Sequence, residues 1–256
     1  MMSFVNKLLA SVGIGSAKVD TVLYRDQLIP GEPVEGVVRI KGGHVEQTID
    51  SIYLQLFTTY ERKSNDSTIT SHAELGSYPL TRPFTLKPDE AKEFPFSFTL
   101  PLDTPLTLGK TRVWVQTGLD IKNAVDPSDR DYIAISPTPL VSAFLNAVQS
   151  LGFQLHYANC EQASGMFRNR LPFVQEFEFV PVNGVNRQRL DELEVVFLPQ
   201  ADGIKVIMEI DRRSRGLSGF LAEAMDMDET KISLFVTDRD IPNLPQMIQS
   251  CISRFS

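Results

Sequence analysis

The chain has 256 residues, 42% of them hydrophobic and 22% charged, with a formal net charge of -7 and a mean hydropathy of -0.09. That balance fits one large or two modest globular domains. It excludes a disordered or fibrous chain, and no apolar run approaches the length of a membrane-spanning helix. The acidic balance argues against a general nucleic-acid binder.

At the start, "MMSFVNKLLASVGIGS" carries Phe4, Leu8, Leu9 and Val12 at helical spacing, but Lys7 interrupts the patch and no secretory signal is formed. The expectation is a short docked helix, with a weak membrane-surface helix as the alternative. From there the first half reads as β. "KVDTVLY" (18–24) leads to a turn at Pro30-Gly31, "PVEGVVRI" (33–40) follows, and Gly42-Gly43 punctuates again. In "TIDSIYLQLFTTYER" (48–62), Ile52, Leu54 and Leu56 point one way and Tyr53, Gln55 and Phe57 the other. "ERKSNDSTITSHAE" (61–74) reads as a loop or an irregular hairpin. "KEFPFSFTL" (92–100) sets Phe94, Phe96 and Phe98 on one face, with Pro95 expected at an edge, at a bulge or on the opposite face where no ladder bond is needed. "TRVWVQTGLDI" (111–121) opposes Val113 and Val115 to Trp114. Strands joined by Gly/Pro turns without intervening helices indicate a sandwich.

Pro127, Pro137 and Pro139 mark a junction, which places a first module at 1–136 and a second at 137–256. Just beyond it, "TPLVSAFLNAVQSLG" (138–152) has a capping Thr138, Pro139 in the first turn and a terminating Gly152. Leu140, Phe144, Val148 and Leu151, joined by Val141 and Leu145, form an apolar stripe that must be covered. The β period then resumes. In "FVQEFEFVP" (173–181), Phe173, Phe177 and Phe179 oppose Val174, Glu176 and Glu178. "LDELEVVFLP" (190–199) and "GIKVIMEIDRR" (203–213) flank a hairpin turn at Gln200–Gly203. "GFLAEAM" (219–225) is compatible with a short helix, and "KISLFV" (231–236) is a further strand.

Motifs for chemistry are sparse. The early glycines lack the GxxxxGK[ST] order, and Gly42-Gly43 leads into a strand, which offers no cluster of free amides to a phosphate. Cys160 and Cys251 make neither a disulfide framework nor a zinc site, so a reducing cytoplasmic setting is expected. His44, His72 and His156 stand apart. His156 and Cys160 share "HYANCEQ", but no oriented base or oxyanion donor accompanies them. "DPSDRD" (126–131) and "DMDET" (226–230) lack EF-hand spacing. No catalytic, cofactor-binding or metal-binding residues are therefore assigned. The second half holds nine arginines and two lysines. Of these, Arg168, Arg170, Arg187, Arg189, Arg212, Arg213 and Arg215 flank strands. They form the candidate interaction surface, with pairing to nearby acids such as Glu161, Asp191, Glu192, Glu194 and Asp211 as the structural alternative.

Taken in order, "LIPGEPVEGVVRIKGG", "LPFVQEFEFVP", "RLDELEVVFLPQADG" and "EIDRRSRGLSGFLAEAM" run along nearly the full chain. In these blocks the sequence resembles the bacterial sporulation-control protein family, which is similar in fold to arrestins. The resemblance implies an all-β, arrestin-like chain of two β-sandwich domains with a short helix in the interdomain region. It further implies a noncatalytic cytoplasmic regulator or adaptor in sporulation, stress or cell-cycle control, without a cofactor. Its expected partner is a regulatory protein, with self-association left open and neither nucleic acid nor integral membrane association expected. Strand addition at an open sheet edge supplies the physical mode of binding. No acidic-basic polar core is assignable from the sequence. The alternative is a structural or membrane-peripheral protein that uses the helix at 139–151 or the N-terminal apolar patch.

Overall fold

A computed structural model describes residues 17–64, 67–122, 126–163, 167, 170–183, 190–211 and 231–254. The chain forms two compact units. One comprises the described residues within Met1–Thr58, Glu74–Pro101 and Arg112–Ala134, and the other those within Thr59–Ala73, Leu102–Thr111 and Ile135–Ser256. The readings of a helix near the N-terminus and at 219–225 lie outside the described residues.

In the first unit, β1 (Lys18–Leu23), β3 (Pro33–Lys41) and β7 (Ala91–Thr99) form an antiparallel sheet with β3 at its centre. The alternation of β3 buries Val34, Val38 and Ile40, which drives this sheet onto its neighbour. The second sheet joins β4 (Gln47–Ser64), β8 (Val113–Ile121), β9 (Ser128–Ile135) and β2 (Gln27–Leu28), with β5 (Ser67–Pro79) and β6 (Phe84–Leu86) also paired to β4. Ile49, Ile52, Leu54 and Leu56 of β4 face the interior with Val115 and Leu119 of β8. The segment 61–74 is more regular than a loop: β4 runs on to Ser64 and β5 resumes at Ser67, and across this hairpin Arg62 Nε donates to Ser71 Oγ at 2.8 Å.

Pro95 lies on the outer strand β7, one of the placements its missing N–H allows. Phe96 and Phe98 are buried, and Phe98 stacks on Tyr78 with ring centroids 3.9 Å apart. The turn before β3 has Gly31 at φ 91, where a side chain would be strained.

The second unit is built on β10 (Phe153–Gln162), β11 (Phe173–Pro181), β12 (Glu192–Gln200), β13 (Gly203–Asp211) and β14 (Lys231–Val236), antiparallel in that order. Gln200 and Gly203 pair directly, so Ala201 and Asp202 make the expected two-residue turn. Helix α1 (Pro139–Ser150) begins at Thr138, whose hydroxyl accepts the Val141 N–H at 3.3 Å, and ends before Gly152 at φ 89. Its face of Leu140, Val141, Phe144, Ala147 and Val148 is buried, and the Phe144 ring meets Phe197 of β12 edge-on at 5.3 Å. That stripe is a packing face, covered as the sequence required. A second helix, α2 (Leu244–Ile252), buries Leu244, Ile248, Cys251 and Ile252 and packs against α1.

Candidate functional site

The opposite face of the second unit's sheet is lined with acids. Strand register sets Tyr157 of β10 beside Glu178 of β11, Glu178 beside Glu194 of β12, Glu194 beside Glu209 of β13, and Glu209 beside Lys231 of β14. One row of the sheet therefore carries a phenol, three carboxylates and an ammonium across five strands. The adjoining row pairs Asn159 with Glu176 and Glu176 with Val196. Beside these acids lies a small apolar cluster of Ala163, Phe167, Val174, Val196 and Ile207.

Charges on a sheet surface are ordinary; their burial is not. Glu176, Glu178, Glu192, Glu194 and Glu209 are all buried, and Glu176 is 0% exposed. Lys231 Nζ lies 3.8 Å from Glu209 Oε2, and His156 Nδ1 lies 2.9 Å from Glu178 Oε1. Glu61, from the distal part of β4, accepts from Lys110 Nζ at 2.9 Å, Asn159 Nδ2 at 2.8 Å and the Tyr157 hydroxyl at 3.3 Å. Glu176 differs from all of these, because both of its carboxyl oxygens are buried without a hydrogen-bond partner. Burial pushes its pKa up to about 10, reinforced by the charges of Glu194, Glu161, Glu178 and Glu209. Glu176 is therefore a neutral carboxylic acid at neutral pH. Burial also raises Tyr157, to about 12, with Glu61 and Glu161 adding to the effect.

This face is equipped to hold protons. Among the described residues no group of three or more His, Cys, Asp or Glu side chains is arranged to hold a metal ion. Cys160 is 2% exposed, and burial pushes its thiol up to about 12. The Thr111 hydroxyl, 3.6 Å from its sulfur, only partly offsets that effect. His156 lies at a register shift in β10 and turns to Glu178, so its spacing to Cys160 does not create an activated thiol. Iodoacetamide should leave Cys160 unmodified in the folded protein up to about pH 9 and label it after denaturation. Labelling of the native protein with a midpoint near neutrality would overturn this assignment.

Of the seven candidate arginines, Arg168, Arg187, Arg189, Arg212, Arg213 and Arg215 lie outside the described residues. Arg170 is described, and its guanidinium forms a forked pair with Asp103: Nε donates to Oδ2 at 2.8 Å and Nη2 to Oδ1. Asp103 is distant in sequence and is not among the acids that the sequence offered as partners. The buried acid row escaped the sequence reading because glutamates alternating with apolar residues look like a solvated face.

Three likenesses follow from the whole chain. The SpoOM protein family model matches residues 5–214. The chain belongs to that family. It is 46% identical over 258 residues to the sporulation-control protein spo0M of Bacillus subtilis (strain 168), spanning the full length of both. The crystal structure of Spo0M, sporulation control protein, from Bacillus subtilis superposes with a TM-score of 0.89 at 44% identity, covering 95% of this chain and 100% of that one. The family resemblance and the all-β, arrestin-like fold that it implied are thereby established. Among the described residues no helix of this SpoOM family member is long and apolar enough to cross a membrane.

Proposed function

We propose that this chain is a noncatalytic cytoplasmic regulator of the sporulation-control type, and that it acts by binding a protein partner through an open sheet edge. The relatedness to the Bacillus subtilis sporulation-control protein supports the regulatory role. The observation that carries the binding mode is strand β14. Among the described residues it pairs only with β13, so its other side presents backbone donors and acceptors. Its six residues, KISLFV, contain neither proline nor glycine, and Phe235 is 46% exposed.

The outer strand β7 is less receptive. Strand β7 is interrupted by Pro95, which lacks a donor. On β14 a partner strand gains backbone hydrogen bonds, while alternation of Lys231, Ser233 and Phe235 against Ile232, Leu234 and Val236 selects its side chains. The inert Cys160 thiol is consistent with a role in recognition instead of covalent chemistry.

In-cell crosslinking of the full chain, followed by identification of the captured proteins, tests this reading. Phe235→Lys puts a charge on the exposed edge and should reduce the principal crosslinked species several-fold, with far-UV circular dichroism unchanged. An undiminished set of crosslinked partners in a folded Phe235→Lys protein would reject β14 as the binding edge.

A further inference from the structure

A second outer strand, β1 in the first unit, has one of its backbone groups occupied by a side chain. Among the described residues β1 pairs only with β3. The Thr21 N–H donates to Asp129 Oδ2 at 2.7 Å, and the Thr21 and Thr117 hydroxyls lie 2.6 Å apart. These contacts join β1 to strands β8 and β9 of the other sheet within the same unit. Asp129 Oδ1 also accepts the Arg130 N–H at 2.9 Å, so both of its oxygens are engaged.

Strand register places Thr117 opposite Asp129 and Val115 opposite Asp131. Val115 is fully buried, so Asp131 shares an inward-facing side of the sheet with Asp129. Asp131 is half-buried, its Oδ2 is occluded without a hydrogen-bond partner, and its side chain meets that of Asp129. Asp20, on β1 beside Thr21, contributes a third carboxyl to the same locality.

The nearby cations are directed elsewhere. Arg130 alternates to the other face, where its guanidinium lies 5.0 Å from the Trp114 ring centroid. Arg39 of β3 stands opposite Asp20 but engages Glu93 at 3.0 Å. Thr117, the residue contributed by β8, is neutral.

We propose that Asp129 latches edge strand β1 to the facing sheet of its unit, and that Asp131 controls the latch by holding or releasing a proton. With Asp131 neutral, its O–H donates to Asp129, whose carboxylate keeps the Thr21 amide. With Asp131 ionised, that bond is lost and Asp20, Asp129 and Asp131 repel one another. Burial, then the charges of Asp129 and Asp20, raise Asp131 from the ordinary 3.8 to about 6. The sign follows: the latch is held while Asp131 keeps its proton and weakens as pH rises through about 6. Opening frees a backbone donor on an outer strand, the type of group used in strand addition. The device would make access to β1 dependent on pH near neutrality.

Amide hydrogen exchange at Thr21, measured by NMR on the full chain and corrected for intrinsic pH dependence, tests the latch. Between about pH 5 and about pH 7.5 the wild-type protection factor should fall about tenfold, while that of Val115 in β8 stays constant. Asp131→Asn should abolish the fall. Asp20→Asn, a surface change that guards against a folding failure in the first variant, should move the midpoint to lower pH. Constant wild-type protection, an equal fall in Asp131→Asn, or an unmoved midpoint in Asp20→Asn would each overturn the proposal.

Discussion

Phe144→Ala is expected to destabilise the second unit by about 3–5 kcal/mol, the range for truncating a fully buried phenylalanine. Phe144 is 0% exposed and sits in the middle of the buried stripe of α1. Its ring meets Phe197 at 5.3 Å, and Phe197 meets Phe177 at 5.2 Å, so one side chain links the helix to two strands. Truncation removes its buried apolar area and leaves a space whose walls are held by the flanking Leu140, Val141, Ala147 and Val148. The edge-to-face contact adds a smaller amount, about 1 kcal/mol. Urea denaturation followed by far-UV circular dichroism, with amide exchange in β12 to localise the loss, measures the effect. A loss below about 1 kcal/mol would mean that α1 does not anchor on the sheet as described.

The contrast between α1 and the acid row explains which features the sequence discloses. Thr138, Pro139, Gly152 and the apolar stripe act within one helix, so the element and both its ends can be read locally. The period-two strands are also local, and Pro95 lies on an outer strand, one of the places its missing N–H left open. Helix α2 carries Leu244, Ile248, Cys251 and Ile252 at helical spacing, yet it has only nine residues and begins beside Pro242 and Pro245. A short periodic signal next to two prolines is easily taken for irregular chain. The partnership of Arg170 with Asp103 depends on distant segments meeting, which no local pattern encodes. The same holds for the carboxyls of β11, β12 and β13. Their alternation with Phe177, Phe179, Leu193, Val195 and Met208 identifies the core face correctly but leaves the burial of the other face undetermined.

Glu176→Gln is expected to stabilise the protein at neutral pH and to remove much of a decline in stability toward alkaline pH. The wild-type carboxyl lies at 0% exposure without a hydrogen-bond partner, so the folded state holds it neutral. In the unfolded chain it returns to the ordinary glutamate value of 4.5 and ionises. Because the folded pKa is raised, this group's contribution to stability is fully present below pH 4.5 and is lost as pH rises toward about 10. Keeping the carboxyl neutral at pH 7 costs on the order of 3 kcal/mol relative to the unfolded chain. Glutamine preserves the shape without a titrating proton, but its amide must still be desolvated, so a net gain of about 1–2 kcal/mol is expected. Glu194, Glu161, Glu178 and Glu209 add to the burial that raises the wild-type value, and the amide has no proton for them to retain. Thermal melts of both proteins from about pH 5 to about pH 9 decide the matter. The curves should converge at the acidic end and separate with rising pH, the variant melting higher. Parallel curves, or a variant less stable at pH 8 than at pH 5 by the wild-type margin, would show that Glu176 is ionised in the folded protein and has a cationic partner.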